Sequence, residues 1–190
     1  MRLTVALLAL AALLTATVAG GTPSARDPKT LVLRPADLPA DFRQTATRRV
    51  SNAQATKEAL VKRNFTRLGR LEGFEASYRK RTTRGILLVV SRASTYKTAA
   101  GAQKSLELDV AGAEKSRAPR FRRVPLEAEI GDDAHLHRAT VKQGRTTVEI
   151  YTLAWRSGKV YAAVIGNGLA GTGKPWFVVK LARRQQARIG

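Results

Sequence analysis

The sequence predicts an α+β fold: an antiparallel sheet of about five or six strands packed against two or three helices. Three observations point there. The last third holds three strand-like runs, at 134–141, 146–156 and 159–165, separated by Gln143-Gly144 and Ser157-Gly158 at hairpin spacing. That is a three-stranded meander. Residues 70–79 alternate, with Phe74, Ala76 and Tyr78 on one face and Glu75 and Ser77 on the other. They run through the turn Arg81-Thr-Thr-Arg-Gly85 into the unbroken apolar run Ile86-Leu-Leu-Val-Val90, the pattern of a strand covered on both faces. Between these blocks, residues 96–115 repeat Ala99, Ala102, Leu106, Val110 and Ala113 at three- and four-residue steps, which reads as a helix.

The remaining elements follow from local chemistry. Residues 52–68 carry helix formers, and Ser51 or Asn52 can cap their start. The stretch Arg34-Pro-Ala-Asp-Leu-Pro-Ala-Asp-Phe42 holds two prolines that forbid a regular element, so Leu38 and Phe42 are expected to plug a loop into the core. Residues 117–125, with Arg117, Arg120, Arg122 and Arg123 beside two prolines, read as a basic connector. Pro175 suits the first turn of a closing helix through Arg188.

Residues 1–19 have the form of a signal peptide. Arg2 precedes an apolar run from Leu3 to Leu14, and Thr17 and Ala19 occupy the small-residue places before a cut at Gly20. That run is shorter than the ~20 residues a membrane span needs. The organisation expected is a leader over 1–19, a flexible lead-in over 20–30 and a single α+β domain over 31–190. Secretion to the cell envelope follows, as a monomer with no transmembrane span after cleavage. Cysteine is absent from the 190 residues. This excludes disulfide staples, thiolate metal sites, thiol catalysis and a lipid attached through Cys. The fold must be held by packing.

Charge is the strongest physical signal. There are 34 Lys and Arg against 14 Asp and Glu, a formal net charge of +20. Such a surface draws anions through a long-range, salt-sensitive field. The residues expected to bind anions are Arg79, Lys80, Arg81 and Arg84 on one hairpin tip, with Arg120, Arg122 and Arg123 on the connector. Partners of matching chemistry are an anionic cell-wall polymer or a membrane surface, with non-specific nucleic acid as a further anion. Aromatic residues are 6% of the chain and fall in strand patterns, which argues against sequence-specific base reading. The same charge serves solubility alone if no partner exists.

Two motifs tempt a catalytic reading. Gly166, Gly168 and Gly171 match G-x-G-x-x-G, and Gly168 to Lys174 matches the start of a phosphate-binding loop. Pro175 stands where that loop needs a Ser or Thr hydroxyl for magnesium, so a plain connection is the expectation. Asp133, His135 and His137 share one face if they lie on a strand, and in principle hold a metal for hydrolysis. Residues two apart on a strand stand roughly 6–7 Å apart, too far for three adjacent ligands without a bend. No Ser lies in a G-x-S-x-G elbow. No catalysis, no metal and no cofactor are expected.

The leader, the stretch Leu33-Arg-Pro-Ala-Asp-Leu-Pro-Ala-Asp-Phe42, Ile130-Gly-Asp-Asp-Ala134 and Arg156-Ser-Gly-Lys-Val-Tyr-Ala162 together resemble small exported domains of actinobacteria, secreted or lipoprotein-like. More distantly they resemble the extracytoplasmic sensor domains of receptor-like serine/threonine kinases. The chain departs from both in lacking the lipoprotein Cys and the disulfide cysteines. The resemblance implies an antiparallel α+β binding or sensing module and carries over no catalytic residue. The function expected is a secreted envelope module that engages an anionic surface or polymer through its Arg and Lys patches. Two alternatives stand beside it. One is a small-ligand sensor with a sheet–helix cleft lined by Phe74, Tyr78 and Trp155. The other is a metal-dependent hydrolase at Asp133, His135 and His137.

Overall fold

The computed structural model describes residues 26–82, 84–117 and 120–190. The expected leader and the first part of the lead-in lie outside them. The described chain begins with a helical turn, α1 (Pro28–Leu31), capped by the Asp27 side chain. This turn starts inside the stretch expected to be flexible, because Leu31, Val32 and Leu33 are all buried and anchor it. A single 3-10 turn, Pro35–Asp37, follows between the prolines. Leu38 and Phe42 are buried as their apolar character requires.

The sheet has seven strands. They are β1 (Phe42–Arg49), β2 (Arg70–Lys80), β3 (Ile86–Tyr96), β4 (Phe121–Val124), β5 (Asp133–Gln143), β6 (Thr146–Ser157) and β7 (Val160–Leu169). Their order is β1-β2-β3-β7-β6-β5-β4, every pair antiparallel. The fold class is α+β and the C-terminal meander β5–β6–β7 is present. The sheet is larger than the five or six strands expected, and β1 and β4, the two strands with no counterpart among the strand runs read in the sequence, are both edges. Edge strands survive by carrying charge rather than by alternating cleanly. Arg43, Arg48 and Arg49 on β1, and Arg122 and Arg123 on β4, hide the strand pattern in this way.

The described residues form four α-helices rather than two or three. Ser51 caps α2 (Asn52–Glu58), and Gln54 completes the capping box. The helix stops ten residues short of the expected Leu68. The Thr56 hydroxyl donates back to the Asn52 carbonyl, and Asn64 turns the following chain by accepting from the Arg67 amide. The long helix α3 (Ala99–Lys115) starts at a Thr98 cap and crosses one face of the sheet from β3 to the far edge at β4. The last helix, α4 (Pro175–Ile189), has Pro at its first turn and packs on β6 and β7.

The two faces differ in chemistry. The α4 face holds the main core: Phe74, Ala76, Tyr78, Val89, Leu153, Trp155 and Val164 under Val178, Leu181 and Ala182. Ser91, Trp155 and Tyr78 on this face are paired. Ser91 donates to Gln185 Oε1 at 2.8 Å and accepts from the Leu33 amide at 2.9 Å. Trp155 Nε1 donates to Gln186 at 2.8 Å, and the Tyr78 hydroxyl donates to the Leu33 carbonyl at 2.5 Å. The α3 face has only a small apolar cluster, Leu106 with Ala154 and Ala163.

Two glycines of the tempting phosphate motif, Gly166 and Gly168, are packing glycines. Strand β7 runs through Gly166 and Gly168 to Leu169, so neither lies in a loop. A Cβ on Gly168 would sit 2.2 Å from the Gly85 carbonyl oxygen, and one on Gly166 would sit 2.7 Å from Val178 Cγ2. Backbone cannot yield as a side chain does. Gly168→Ala is therefore expected to destabilise by about 1–3 kcal/mol. In a chain of this size that lowers Tm by roughly 3–10 °C, read by thermal melting. An unchanged Tm would contradict the close approach of β7 to the β2–β3 turn.

Candidate functional site

A cavity of about 340 Å³ lies on the α3 face, enclosed by the sheet, α2, α3 and the loop between α2 and β2. Its apolar wall is Ile150, Ala154, Ala163, Ile165, Val110 and Ala113. Its polar groups come from separate elements. Arg92 and Ser94 belong to β3, His137 to β5, Thr152 to β6, Tyr161 and Asn167 to β7, and Ser105 and Asp109 to α3. Strand register assembles them. His137 pairs with Thr152, Thr152 with Ile165, and Ile150 with Asn167.

One end of the cavity is a network of ion pairs. Glu75, buried on β2, receives Arg48 Nε at 3.1 Å and Arg92 Nε at 2.6 Å. Glu58 at the end of α2 takes the other side of Arg48 at 2.7 Å. The bidentate contact with Arg48 holds the Glu58 carboxyl below its usual range and raises the Arg48 guanidinium. Deeper in, Arg63 pairs with Asp109 and lies over the Phe65 ring at 4.8 Å. Arg70 flanks the same ring at 5.4 Å and is buried. It donates to the Val50 carbonyl at 2.9 Å, Asn52 Oδ1 at 2.8 Å and Ser94 Oγ at 3.1 Å. Burial lowers its pKa. Burial and the nearby Asp109 push the Tyr161 phenol well above its ordinary value.

Three polar atoms of residues lining the cavity are buried without a partner: Arg63 Nε, His137 Nε2 and Asn167 Oδ1. His137 is 4% exposed. Burial is the largest influence on it and lowers its pKa, with His135 and Arg123 acting the same way and Glu114 opposing. The imidazole is thus held neutral. A buried polar group with no partner costs about 1–3 kcal/mol. On the α4 face Ser91, Trp155 and Tyr78 find partners, whereas on the α3 face these three atoms of cavity-lining residues have none.

Asp133, His135 and His137, the residues of the metal-dependent alternative, lie on β5, on the α3 side. His135 Nε2 lies 3.1 Å from Asp133 Oδ1, and Gln103 Nε2 donates to Asp133 Oδ2 at 2.9 Å. The Gln103 hydrogen bond is the main reason the Asp133 carboxyl sits low. His137 stands one pleat further on, in the cavity wall. Among the described residues no three His, Cys, Asp or Glu side chains are placed to hold a metal ion. An open depression of about 710 Å³ runs along residues 123–136 beside Asp133 and His135.

The anion-binding candidates fall at one end of the sheet but at opposite sides of it. Arg79 and Lys80 end β2, Arg81 and Arg84 lie in the β2–β3 turn, and Arg120, Arg122 and Arg123 are on or beside β4. Five strand spacings separate β2 from β4, about 24 Å at 4.8 Å each. All but Lys80 are exposed. Lys80 pairs with Asp41 at 2.8 Å. The proposed cleft aromatics divide. Phe74 borders the cavity, but Tyr78 and Trp155 are sealed in the core beneath α1 and α4. Sequence reasoning missed Arg63, Arg92 and Asn167. The one available signal was Asn167, a strand-disfavoured polar residue directly after the apolar run of β7.

No family model matches the chain, and no curated protein matches it. Among solved structures it is similar to the extracellular domain of PknH from Mycobacterium tuberculosis, at 9% identity and a TM-score of 0.49. The match covers 85% of this chain and 91% of that one. No helix of the described residues is long and apolar enough to cross a membrane.

The buried histidine sets a pH dependence. Its folded pKa lies below the ordinary value of about 6.5, so the unfolded chain takes the proton first. Its contribution to stability is complete above that pH and is lost as pH falls from 6.5 through the folded value. His137→Phe is expected to flatten the stability curve between pH 7.5 and 5.5, followed by urea unfolding. An equally steep curve in the variant would show that His137 is not buried neutral.

Proposed function

We propose that the protein is a non-catalytic binding module of the cell envelope that holds a small, largely apolar molecule in the cavity under α3. The observation that carries this is that His137 Nε2 and Asn167 Oδ1 stand unpartnered in the sheet wall of the cavity, beside the apolar side chains of Ile150, Ala154, Ala163 and Ile165. A volume of about 340 Å³ falls in the range of small-molecule sites, about 300–1,000 Å³. The apolar body would lie against Ile150, Ile165 and Val110. A hydroxyl or amine of the ligand would donate to Asn167 Oδ1, and neutral His137 would complete the recognition. The enclosing ion pairs of Arg48, Arg92, Glu58 and Glu75 fix the mouth rather than supply reactive groups.

N-phenyl-1-naphthylamine, a neutral fluorophore with one N–H donor, tests this reading. Its emission is expected to rise on binding at micromolar concentration. Val110→Trp fills the cavity from α3 and is expected to weaken binding at least tenfold. Asn167→Leu removes the acceptor and is expected to weaken it about fivefold, the size of one hydrogen bond. The same variant should raise Tm without ligand, since it removes an unsatisfied buried group. Full affinity in Val110→Trp would place the ligand elsewhere and end the proposal.

A further inference from the structure

One end of the molecule gathers six exposed cations. The β2–β3 turn brings Arg79, Arg81 and Arg84 there. The turn between β5 and β6 brings Lys142 and Arg145, and the chain entering α4 brings Lys174. These turns meet at the same end because β2, β5 and β7 all finish where β3 and β6 begin. All six side chains are exposed. None makes an ion pair among the described residues. The acids near this end are spoken for: Asp41 pairs with Lys80, and Glu149 is buried against Arg138. Glu114, near the end of α3, is followed in the chain by Lys115 and Arg117. Asp27, Glu72, Asp132 and Asp133 lie toward the opposite end.

The same end displays an aromatic side chain with no place in the core. Trp176, in the first turn of α4, is 61% exposed. Its neighbour Phe177 faces inward and stacks on Phe42 at 5.8 Å, which locks the first turn in place. Trp176 meets Phe177 edge-on at 6.1 Å and projects beyond it. The Thr172 hydroxyl reaches the Gly85 carbonyl, so the entry to α4 is tied to the cationic turn. An indole held rigidly outward among lysines and arginines suits the water–hydrocarbon boundary of a membrane, where Trp sits at headgroup depth. A soluble polyanion would use the cations and leave the indole unexplained.

We infer that this end is a docking surface for an anionic phospholipid bilayer, with Trp176 entering the interface and the surrounding cations meeting the headgroups. The inference is independent of the cavity under α3. Vesicles of phosphatidylcholine, with and without phosphatidylglycerol, test it on the purified chain. Trp155 is sealed in the core, at 0% exposure, so a change in emission reports Trp176. Binding to the phosphatidylglycerol vesicles with a blue shift is expected, and little to phosphatidylcholine alone. Trp176→Ala is expected to weaken binding about tenfold. The double variant Arg81→Gln, Arg84→Gln is expected to weaken it about thirtyfold, at roughly 1 kcal/mol per cation. Trp176 is exposed and Arg81 and Arg84 lie in a turn, so a far-ultraviolet spectrum should show both variants folded. Binding to polyphosphate as tight as to the anionic vesicles, with no blue shift and no loss in Trp176→Ala, would overturn the inference in favour of a polymer. Absence of vesicle binding would overturn it outright.

Discussion

Pairing of β3 with β7 is the constraint on which the rest depends. The chain makes two local sheets, β1–β2–β3 and the run from β4 to β7. The ladder from Ile86 opposite Gly168 to Thr95 opposite Val160 joins them. Both strands are thereby central and covered on both faces, which is why Ile86 to Val90 is unbroken apolar sequence. The ladder also explains the glycines of β7. Gly166 admits α4 and Gly168 admits the β2–β3 turn, so side chains there would open the join.

That join divides the labour of the two faces. Helix α4 closes over a conventional core in which Ser91, Trp155 and Tyr78 find hydrogen-bond partners. Helix α3 is long and rich in Ala and Gly, and crosses the other face toward β4 while leaving space beside it. Glu75, Arg92, His137 and Asn167 sit on strands whose opposite sides are packed, so they are held without being filled against. Two of them keep unused hydrogen-bonding atoms. A fold selected for stability alone would close such a space with apolar side chains; a fold selected to hold something leaves it.

The meander was legible because strands with one dominant inward parity, punctuated by glycines at Gly144 and Gly158, announce themselves. The edges β1 and β4 were not, since Arg43, Arg48, Arg49, Arg122 and Arg123 overwrite the alternation at the places where charge protects an open strand. The cationic turn at Arg81 and Arg84 was readable as a local run. The cavity was not, because Arg92, His137 and Asn167 are far apart in sequence and meet only through register. Parity placed Phe74, Ala76 and Tyr78 together but could not say which helix covers them. Trp155 and Tyr78 turned out to face α4 and α1. Trp176 went unremarked because exposure of one helical residue depends on its neighbour Phe177 finding Phe42.

The five isoleucines offer the most direct test of the central claim, that the space under α3 is a ligand site. Ile150 and Ile165 line the cavity, while Ile86, Ile130 and Ile189 belong to the core on the α4 side. Methyl-labelled isoleucine spectra, recorded during titration with N-phenyl-1-naphthylamine, separate the two groups. The account predicts saturable shifts at Ile150 and Ile165 with the other three methyls unmoved. Shifts confined to Ile86, Ile130 or Ile189, or no saturable shift at any of the five, would contradict it.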